Sequence, residues 1–261
     1  MSRYLEPYTI DGKRALITGA SSGIGEACAL MFAERGVNLV LVARRIRELE
    51  RVRNMILENH AGITVEIMSV DLTNVAEIAT LKDTVGAIDI LINSAGLALG
   101  TPRADEIDLA EARQLLDTNA FAAIAMFRAF VPDMRERNSG HVVNIGSVAA
   151  FECYEGGSIY NASKHALLGF TNSARMDLAN TNVRVTIINP GIVDTNFWSV
   201  RFKGDDVKAE SALKGLEVMT PFDIADQVVY ALTRPLRCQI ADVHSYCNHQ
   251  AHARYVIHRE V

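Results

Sequence analysis

Short apolar segments alternate with longer amphipathic segments along most of the chain. Six segments have the pattern of strands: RALIT, NLVLVA, ITVEIMSV, DILIN, HVVNIGS and VRVTIIN. Their apolar, often β-branched residues follow one another directly instead of alternating with polar residues. This pattern is typical of strands that are buried on both faces of a parallel sheet.

Between the strands, apolar residues recur with the spacing of helices. We predict helices over Gly25–Arg35, Arg47–Asn59, Leu109–Arg137 and Ser158–Ala179. Regular strand–helix alternation predicts an α/β fold, with helices on both faces of a doubly wound parallel sheet and three layers, α/β/α. The length suits one domain, which we place over residues 1–261.

Two segments depart from this alternation. Residues 194–220 are polar, compatible with helix and long for a connection, so we expect them to form a lid over a ligand. Residues 245–261 form a C-terminal tail in a region that holds four of the seven histidines. Their spacing does not define a metal site, so we predict no metal. We expect the tail, including Arg254, to reach a neighbouring subunit and help to shape its active site.

Composition narrows the classes of function. The formal charge is -5 and no basic run stands out, which argues against a nucleic-acid partner. Four scattered cysteines lack the spacing of a metal site or disulfide framework and indicate a reducing compartment. The N-terminal sequence has no apolar signal-peptide core, and the stretch AFAAIAMF is too short to span a bilayer. We therefore expect a cytoplasmic protein with no membrane partner.

A glycine-rich loop, TGASSGIG, follows the first strand and opens the first helix. Glycines at this point allow a tight turn and the close approach of a diphosphate to the N–H groups of a helix start. The spacing G-x-x-x-G-x-G differs from the usual G-x-G-x-x-G, and glycine can also serve turn geometry alone. We predict a dinucleotide site formed by Gly19, Ser21, Ser22, Gly23, Ile24 and Gly25.

The end of the second strand indicates which dinucleotide binds. An enzyme selective for NAD usually places an acidic residue here to accept from the ribose 2′-hydroxyl. This chain has Arg44 and Arg45, and its first acidic residue is Glu48. A guanidinium suits a 2′-phosphate, so we predict NADP(H) as the cofactor. One arginine could instead cap or solvate the next helix; Arg44, nearest the strand, is the one we favour for the phosphate.

Tyr160 and Lys164 lie four residues apart in a predicted helix, so both side chains share one face. A cation about 4 Å from a phenolate stabilises it by roughly 4 kcal/mol at an effective dielectric constant near 20. Burial raises a phenol's pKa, so the two effects compete. We expect a net lowering of the Tyr160 pKa toward neutrality. The alternative is an ordinary amphipathic helix, because Tyr-x-x-x-Lys is common.

Further polar residues follow other strands of the predicted sheet. Ser147 closes the strand before the tyrosine helix and could donate to a substrate carbonyl. The segment DILINSAG ends a strand with small residues, which lets a cofactor lie close. Asn119 is polar within a largely apolar helix and should have a buried hydrogen-bond partner.

Together these motifs resemble the short-chain dehydrogenase/reductase family. The matching pieces are TGASSGIG, NSAG, Asn119, Ser147, YNASK and NPGIVDT, in the family's order and spacing, over roughly Lys13 to Gln250. Ser94 departs from the Asn-Asn-Ala-Gly of many members, but it is small and polar, so we expect no loss of cofactor binding. The resemblance implies a Rossmann-type fold and a single dinucleotide-binding catalytic domain.

The resemblance also implies roles for individual residues. Tyr160 would exchange a proton with the substrate oxygen, and Lys164 would lower its pKa and hold the nicotinamide ribose. Ser147 would orient the substrate oxygen, and Asn119 would support a water-mediated proton relay. Asp71 would face the adenine. The remaining expected cofactor-binding residues are Leu72, Asn93, Ala95, Gly96, Pro190, Gly191, Val193 and Thr195.

The segments VRFKGDDVKAE, GSIY and TPFDIADQVVYALTRP are similar to NADP-dependent 3-hydroxy acid and serine dehydrogenases and to sulfoacetaldehyde reductases. This likeness implies a short anionic hydroxy compound or its aldehyde as substrate. Arg201 is the first candidate to bind the anion; alternatively, it is a surface residue paired with Asp205 or Asp206. Tyr154 is expected to line the substrate pocket or to pack beside the catalytic helix.

Several functions stay open at this point. A 3-hydroxy acid or serine-like substrate comes first, sulfoacetaldehyde second and a broad range of carbonyls third. An inactive NADPH-binding sensor is disfavoured because Tyr160, Lys164 and Ser147 are all present. The helix EARQLLDTNAFAAIAMFRAF could be core, but the family commonly pairs such helices between subunits, so we expect a homotetramer.

Overall fold

Six predicted apolar segments form strands of one seven-stranded sheet. The computed structural model describes residues 8–258, so residues 1–7 and 259–261 of the predicted domain and tail lie outside it. All strands in the sheet pair in parallel, in the order β3-β2-β1-β4-β5-β6-β7. In chain order they are β1 Arg14–Thr18, β2 Asn38–Ala43, β3 Val65–Ser69, β4 Ile90–Asn93, β5 Gly140–Ile145, β6 Val183–Pro190 and β7 Asp242–Ser245.

Helices connect these strands. They are α1 Gly23–Ala33, α2 Ile46–Asn59, α3 Val75–Val85, α4 Leu109–Leu116, α5 Ala122–Glu136, α6 Ser158–Asp177, α7 Phe197–Arg201, α8 Asp206–Leu213 and α9 Pro221–Leu232. A π-helical turn, Asp117–Phe121, joins α4 to α5, so the single helix predicted over this region is continuous. The four predicted helices are confirmed to within two residues at each end.

The sheet separates two apolar cores, which confirms the predicted three layers. Side chains of a strand alternate between the faces: Leu39 and Leu41 belong to one core, and Val40 and Val42 to the other. Helices α1, α2 and α9 cover the first face, while α3 and α5 cover the second. Both faces of the central strands are therefore buried, as their unbroken apolar sequences indicate.

The strand order places a ligand crevice at the carboxyl edge of the sheet. The chain runs from β1 outward to β3 and then returns to the other side of β1 with β4. Loops after β1 and β4 consequently diverge at this switch point, where ligands of such sheets bind. The loops that follow β1, β2, β4, β5 and β6 carry the polar motifs of the sequence.

The continuous helix Leu109–Glu136 contains the apolar stretch AFAAIAMF. By length and composition alone, this helix could cross a membrane, with a mean hydropathy of 1.2 over a stretch of 18 residues. Core helices of soluble proteins pass the same test. Here Met126, Phe130 and Met134 are buried against the sheet, so the apolar side of the helix packs in the second core.

The lid and the described part of the tail both contain regular secondary structure. The lid contains α7 and α8, and a bridge between Val193 and Met219 closes its base. Beyond the sheet, strands β8 Gln250–His252 and β9 Tyr255–Val256 pair as an antiparallel hairpin.

Candidate active site

A cleft of about 540 Å³ opens at the carboxyl edge of the sheet and runs from the glycine loop to Tyr160. Its walls are built mainly by the loops after β1, β2, β4, β5 and β6. Sequence-predicted residues that line it are Gly19, Ser21, Ser22, Gly23, Ile24, Arg44, Arg45, Asp71, Leu72, Ala95, Gly96, Ser147, Tyr160, Lys164, Pro190, Gly191, Val193 and Thr195.

Two of the predicted cofactor contacts lie behind the cleft wall instead. A Cβ atom on Gly25 would lie 2.5 Å from the Gly19 carbonyl oxygen, so glycine is needed for the close packing of α1 on the loop. Asn93 is buried, and its Nδ2 donates to Oδ1 of Asn144 at 2.8 Å. Both residues lie behind the residues that line the cleft and support them, and the direct cofactor contact expected of them stays a prediction.

Asn119 also lies behind the cleft, on the π-helical turn. Its Oδ1 accepts from the backbone N of Leu97 at 2.8 Å, and its Nδ2 donates to Leu97 O at 2.8 Å and to Ser163 Oγ at 3.0 Å. The buried partner expected of this amide is therefore present. Asn119 clamps the loop after β4 to α6, which carries Tyr160, and π-helical turns of this kind are frequent at functional sites.

The two arginines after β2 take different partners. Arg45 Nη2 donates to the hydroxyls of both Ser21 and Ser22 at 2.9 Å, which ties the end of β2 to the glycine loop. Arg44 lines the cleft as well. Hydrogen bonds from Thr73 hold the pKa of Asp71 below its ordinary value, and the positive charge of Arg44 adds a smaller effect in the same direction. Which arginine holds a phosphate stays a prediction.

Glu48, the first acidic residue after β2, forms a salt bridge within its own helix. Glu48 accepts from Nε of Arg51 at 2.9 Å, and Arg51 also binds Glu26 on α1. The carboxylate of Glu48 is thus paired on the outer side of α2. It does not take the place of the acidic residue that NAD-selective sites use for the ribose hydroxyl.

Ser147, Tyr160 and Lys164 meet at the inner end of the cleft. Oγ of Ser147 accepts from the N of Ala149 at 3.1 Å, which begins a short 3₁₀ turn and leaves the hydroxyl proton free to donate. Lys164 is buried, and its Nζ donates to Ile145 O at 3.0 Å. The same Nζ lies 5.8 Å from the centroid of the Tyr160 ring.

The expected lowering of the Tyr160 pKa is not found. Burial, with a smaller effect of Tyr154, raises the pKa of Tyr160 above its ordinary value, against the opposing effects of a hydrogen bond from Ser147 and the charge of Arg201. Burial also lowers the pKa of Lys164 to about 8. Desolvation outweighs the attraction between a phenolate and a lysine whose own ammonium form is destabilised.

Arg201 is buried beside Tyr160 and is not a lid-surface residue. Its Nη1 donates to the Tyr154 hydroxyl at 3.0 Å, and its guanidinium carbon lies 5.7 Å from the centroid of Tyr160. The alternative pairing is wrong, because Asp205 binds Lys208 and Asp206 accepts from Ser199. Tyr154 packs beside the catalytic helix and contacts this guanidinium.

Sequence reasoning missed several supporting residues. Thr18 Oγ1 accepts from the backbone N atoms of Ser94 and Ala95 at 3.0 and 3.2 Å, which fixes the loop after β4. Asn189 Oδ1 accepts from the N of Ser147 at 3.2 Å. A buried polar residue at the end of an apolar strand was the available signal for both. The ring centroid of Phe197, on the lid, lies 5.5 Å from that of Tyr160. Nothing in the sequence around Phe197 indicated this contact.

The histidine-rich region was considered as a metal site because it holds four of the seven histidines. Across residues 8–258, no group of three or more His, Cys, Asp or Glu side chains is placed to hold a metal ion. The described part of the tail packs on its own chain, where Arg254 lies over the ring of Tyr154. Contact with a neighbouring subunit stays a prediction.

The fold and this cleft identify the family. The family model described as short chain dehydrogenase matches residues 13–206. The chain belongs to the short-chain dehydrogenase family. The predicted doubly wound sheet of Rossmann type is confirmed by solved structures of this family.

Several relatives match nearly the whole chain. An NADP-dependent 3-hydroxy acid dehydrogenase from Schizosaccharomyces pombe is 38% identical over 96% of this chain and 98% of its own length. An NADP-dependent 3-hydroxy acid dehydrogenase from Salmonella typhi is 39% identical over 94% and 98%. The closed form of a serine dehydrogenase complexed with NADP⁺ superposes with a TM-score of 0.87 and 35% identity, covering 95% of this chain and all of the other.

Proposed function

We propose that this protein is an NADP(H)-dependent oxidoreductase that interconverts a short anionic hydroxy compound and its aldehyde or keto form. One observation carries the proposal: Ser147 and Tyr160 line the inner end of a dinucleotide-sized cleft, and the buried guanidinium of Arg201 lies behind them, 5.7 Å from the centroid of the Tyr160 ring. The names of the relatives, 3-hydroxy acid dehydrogenases and a serine dehydrogenase, support the same class of substrate.

The residues around the cleft fit a dinucleotide. A Cβ on Gly19 would lie 2.9 Å from Ala95 N, so the glycine keeps the loops after β1 and β4 close together, and its φ of +66° is one that glycine adopts freely. N–H groups at the start of α1 suit a diphosphate, and Arg44 and Arg45 suit a 2′-phosphate. When bound, the nicotinamide supplies or accepts the hydride.

The proton chemistry belongs to Tyr160. Because burial raises its pKa, the phenol is protonated at neutral pH and is ready to donate to the oxygen of a carbonyl substrate. Ser147 would donate a second hydrogen bond to that oxygen. Lys164, held by Ile145 O, would stabilise the phenolate that forms. Oxidation of the alcohol would use the same groups in reverse.

Arg201 and Tyr154 would bind the anionic head of the substrate. Within residues 8–258, no carboxylate lies within 4.0 Å of the Arg201 guanidinium, although this side chain is only 4% exposed. A buried, unpaired cation is costly and favours an anionic partner. A carboxylate and a sulfonate both meet this need, so sulfoacetaldehyde reduction is a second candidate, and less selective carbonyl reduction a third.

A panel of substrates and cofactors tests the proposal. Purified protein is assayed with NADPH, NADH and their oxidised forms against serine, 3-hydroxypropionate, isethionate, their aldehydes and neutral aldehydes of similar length. We expect turnover with NADPH or NADP⁺ and lower KM values for the anionic compounds. Tight NADPH binding without turnover of any compound would point to a sensor instead.

We propose a cytoplasmic homotetramer as the working form. All four cysteines are free thiols in the structure, as suits a reducing compartment. Large apolar side chains are exposed on two helices: Leu109 is about four-fifths and Phe121 about half exposed on the continuous helix Leu109–Glu136, and Met176 is about four-fifths exposed on α6. Such exposure suits subunit contacts. Light scattering on the purified protein measures the mass of the assembly. A monomeric mass would contradict the proposed homotetramer.

A further inference from the structure

Glu152 fastens the C-terminal tail to the substrate side of its own chain. Its Oε1 accepts from the Tyr246 hydroxyl at 2.7 Å, and its Oε2 accepts from the backbone N of Ala253 at 2.6 Å. The Nε2 atom of His252 lies 3.9 Å from the same carboxylate. A partly buried carboxylate that accepts two short hydrogen bonds is a strong anchor for a short hairpin.

The anchor is itself fixed to the catalytic helix. The carbonyl oxygen of Glu152 accepts from Nδ2 of Asn161, the residue after Tyr160, at 3.3 Å. The hairpin has a second attachment, to the loop after β6. There Oε1 of Gln250 accepts from the backbone N of Ile192 at 2.9 Å. The hairpin is therefore held at two points, beside the catalytic helix and beside the loop after β6.

This anchoring places a second guanidinium at Tyr154. The guanidinium carbon of Arg254 lies 5.4 Å from the centroid of the Tyr154 ring, and that of Arg201 lies 5.5 Å from the same centroid. Arg201 comes from the lid and Arg254 from the tail, so two separate segments converge on one phenol. The Tyr154 hydroxyl accepts from Arg201, which leaves its own proton free for another acceptor.

Two positive charges converge beside Tyr154. In the described part of the chain, neither Arg201 nor Arg254 has a carboxylate within 4.0 Å. Each cation–π contact stabilises its arginine by about 0.5–2 kcal/mol, but two like charges beside one ring repel each other. An anion bound between them would remove this repulsion and accept hydrogen bonds from both guanidiniums and from the phenol.

We propose that Arg254 is a second anion-binding residue of the substrate site and that Glu152 is the positioning residue that holds it there. The inference rests on the proposed function in so far as the substrate is an organic anion. It goes further by assigning part of the specificity to the tail. Two guanidiniums favour a head group with a full negative charge and at least two acceptor oxygens over a neutral analogue of the same size.

The experiment compares 3-hydroxypropionate with its methyl ester, which has the same chain but no charge. The variants are Arg254→Gln, Arg254→Lys and Glu152→Gln. Arg135→Gln is the matched control, because it removes one exposed arginine at the end of α5, on the opposite edge of the sheet. KM and kcat are measured with NADP⁺. Binding to the NADPH-loaded protein is followed separately by fluorescence of Trp198, the single tryptophan, which lines the cleft.

For Arg254→Gln we expect KM and Kd for the acid to rise about 5–10-fold, close to the tenfold that 1.4 kcal/mol represents. Kd for NADPH, kcat and all constants for the ester should stay within about twofold, because the charge–charge contact is lost only by the acid. Arg254→Lys should recover part of the loss. Glu152→Gln should act in the same direction, because glutamine offers one acceptor oxygen to two donors. Arg135→Gln should match the wild type.

Equal losses for acid and ester, or no loss for the acid, would overturn the role of Arg254. The binding measurement separates this inference from the proposed function. If the wild type binds the acid but turns over no compound of the panel, the proposed function fails, and the ratio of Kd values still tests Arg254. If the wild type does not bind the acid, the role of Arg254 is overturned, and the panel alone decides the proposed function.

Discussion

The Tyr160 phenol and Nζ of Lys164 share a helix face, with Nζ 5.8 Å from the ring centroid. From the sequence, the charge of the lysine was the dominant effect on the phenol. In the folded protein both groups are buried, and desolvation raises one pKa and lowers the other. Four-residue spacing fixes which side chains meet, but burial depends on the packing of residues distant in sequence, so the sign of the shift was not predictable.

The pKa of Lys164 predicts how carbonyl reduction depends on pH. Because this pKa is lowered to about 8, the lysine loses its positive charge as pH rises through that value, and the phenolate loses its stabilising cation. Tyr160 stays protonated there, since its own pKa is raised. We expect kcat/KM for reduction to be flat below about pH 8 and to fall tenfold per pH unit above it.

Rates at constant ionic strength between pH 6 and 10 give this profile. Lys164→Arg should keep its charge across the range and remove the fall near pH 8, because a guanidinium does not lose its proton there. A wild-type profile that stays flat to pH 10 would show that Lys164 does not titrate in this way.

At the scale of elements, the sequence predicted the strands of the sheet best where they are apolar on both faces. β7 was missed because Asp242 and His244 alternate with other residues in a four-residue edge strand that is only half buried. The π-helical turn was missed as well, since one extra residue per turn does not change an apolar helical pattern over five residues. Both β7 and this turn support the catalytic side chains, through Asn189 and Asn119.

The π-helical turn gives a prediction for Asn119→Ala. The substitution leaves Leu97 N, Leu97 O and Ser163 Oγ without their buried partner. We expect the free energy of unfolding to fall by about 3 kcal/mol, at roughly 1 kcal/mol for each hydrogen bond. Urea unfolding measures this change. The loop after β4 should loosen at the same time, so hydrogen exchange at residues 94–97 should become faster than in the wild type; unchanged exchange would contradict the clamp.

At the scale of the whole molecule, the family and the shape of the sheet followed from the order of motifs, whereas the placement of the tail did not. The tail sequence is polar and short of repeating apolar positions, so nothing in it indicated a hairpin anchored at Glu152. Contacts of this kind join residues about a hundred positions apart. They depend on the finished fold and are not encoded in local patterns.

A buried histidine in the sheet makes stability depend on pH. His141 is 2% exposed, and its Nε2 contacts Thr186 Oγ1 at 2.8 Å. Burial, aided by the charge of Arg184, holds the pKa of His141 well below its ordinary value. The folded histidine thus stays neutral while the unfolded chain takes up a proton below about pH 6.5, which favours unfolding as pH falls.

We expect His141 to contribute a loss of about 1.5 kcal/mol in the free energy of unfolding between pH 6.5 and 5.0. Urea titrations at these two pH values give the loss for the wild type and for His141→Gln, whose amide can still reach Thr186. Between pH 6.5 and 5.0, the free energy of unfolding of His141→Gln should fall by about 1.5 kcal/mol less than that of the wild type. Equal losses in the two proteins would mean that His141 is protonated in the folded state.

The most direct test of the proposed function is Tyr160→Phe, assayed with NADPH and the best carbonyl substrate of the panel. The variant removes only the hydroxyl that would donate the proton. The account predicts that kcat falls by at least about 10²–10⁴-fold, the usual contribution of a general acid. The Kd for NADPH, measured by quenching of Trp198 fluorescence, should stay within about threefold, since the change is confined to the phenol. A variant that keeps more than about a tenth of the wild-type kcat would contradict the assignment of Tyr160 as the acid.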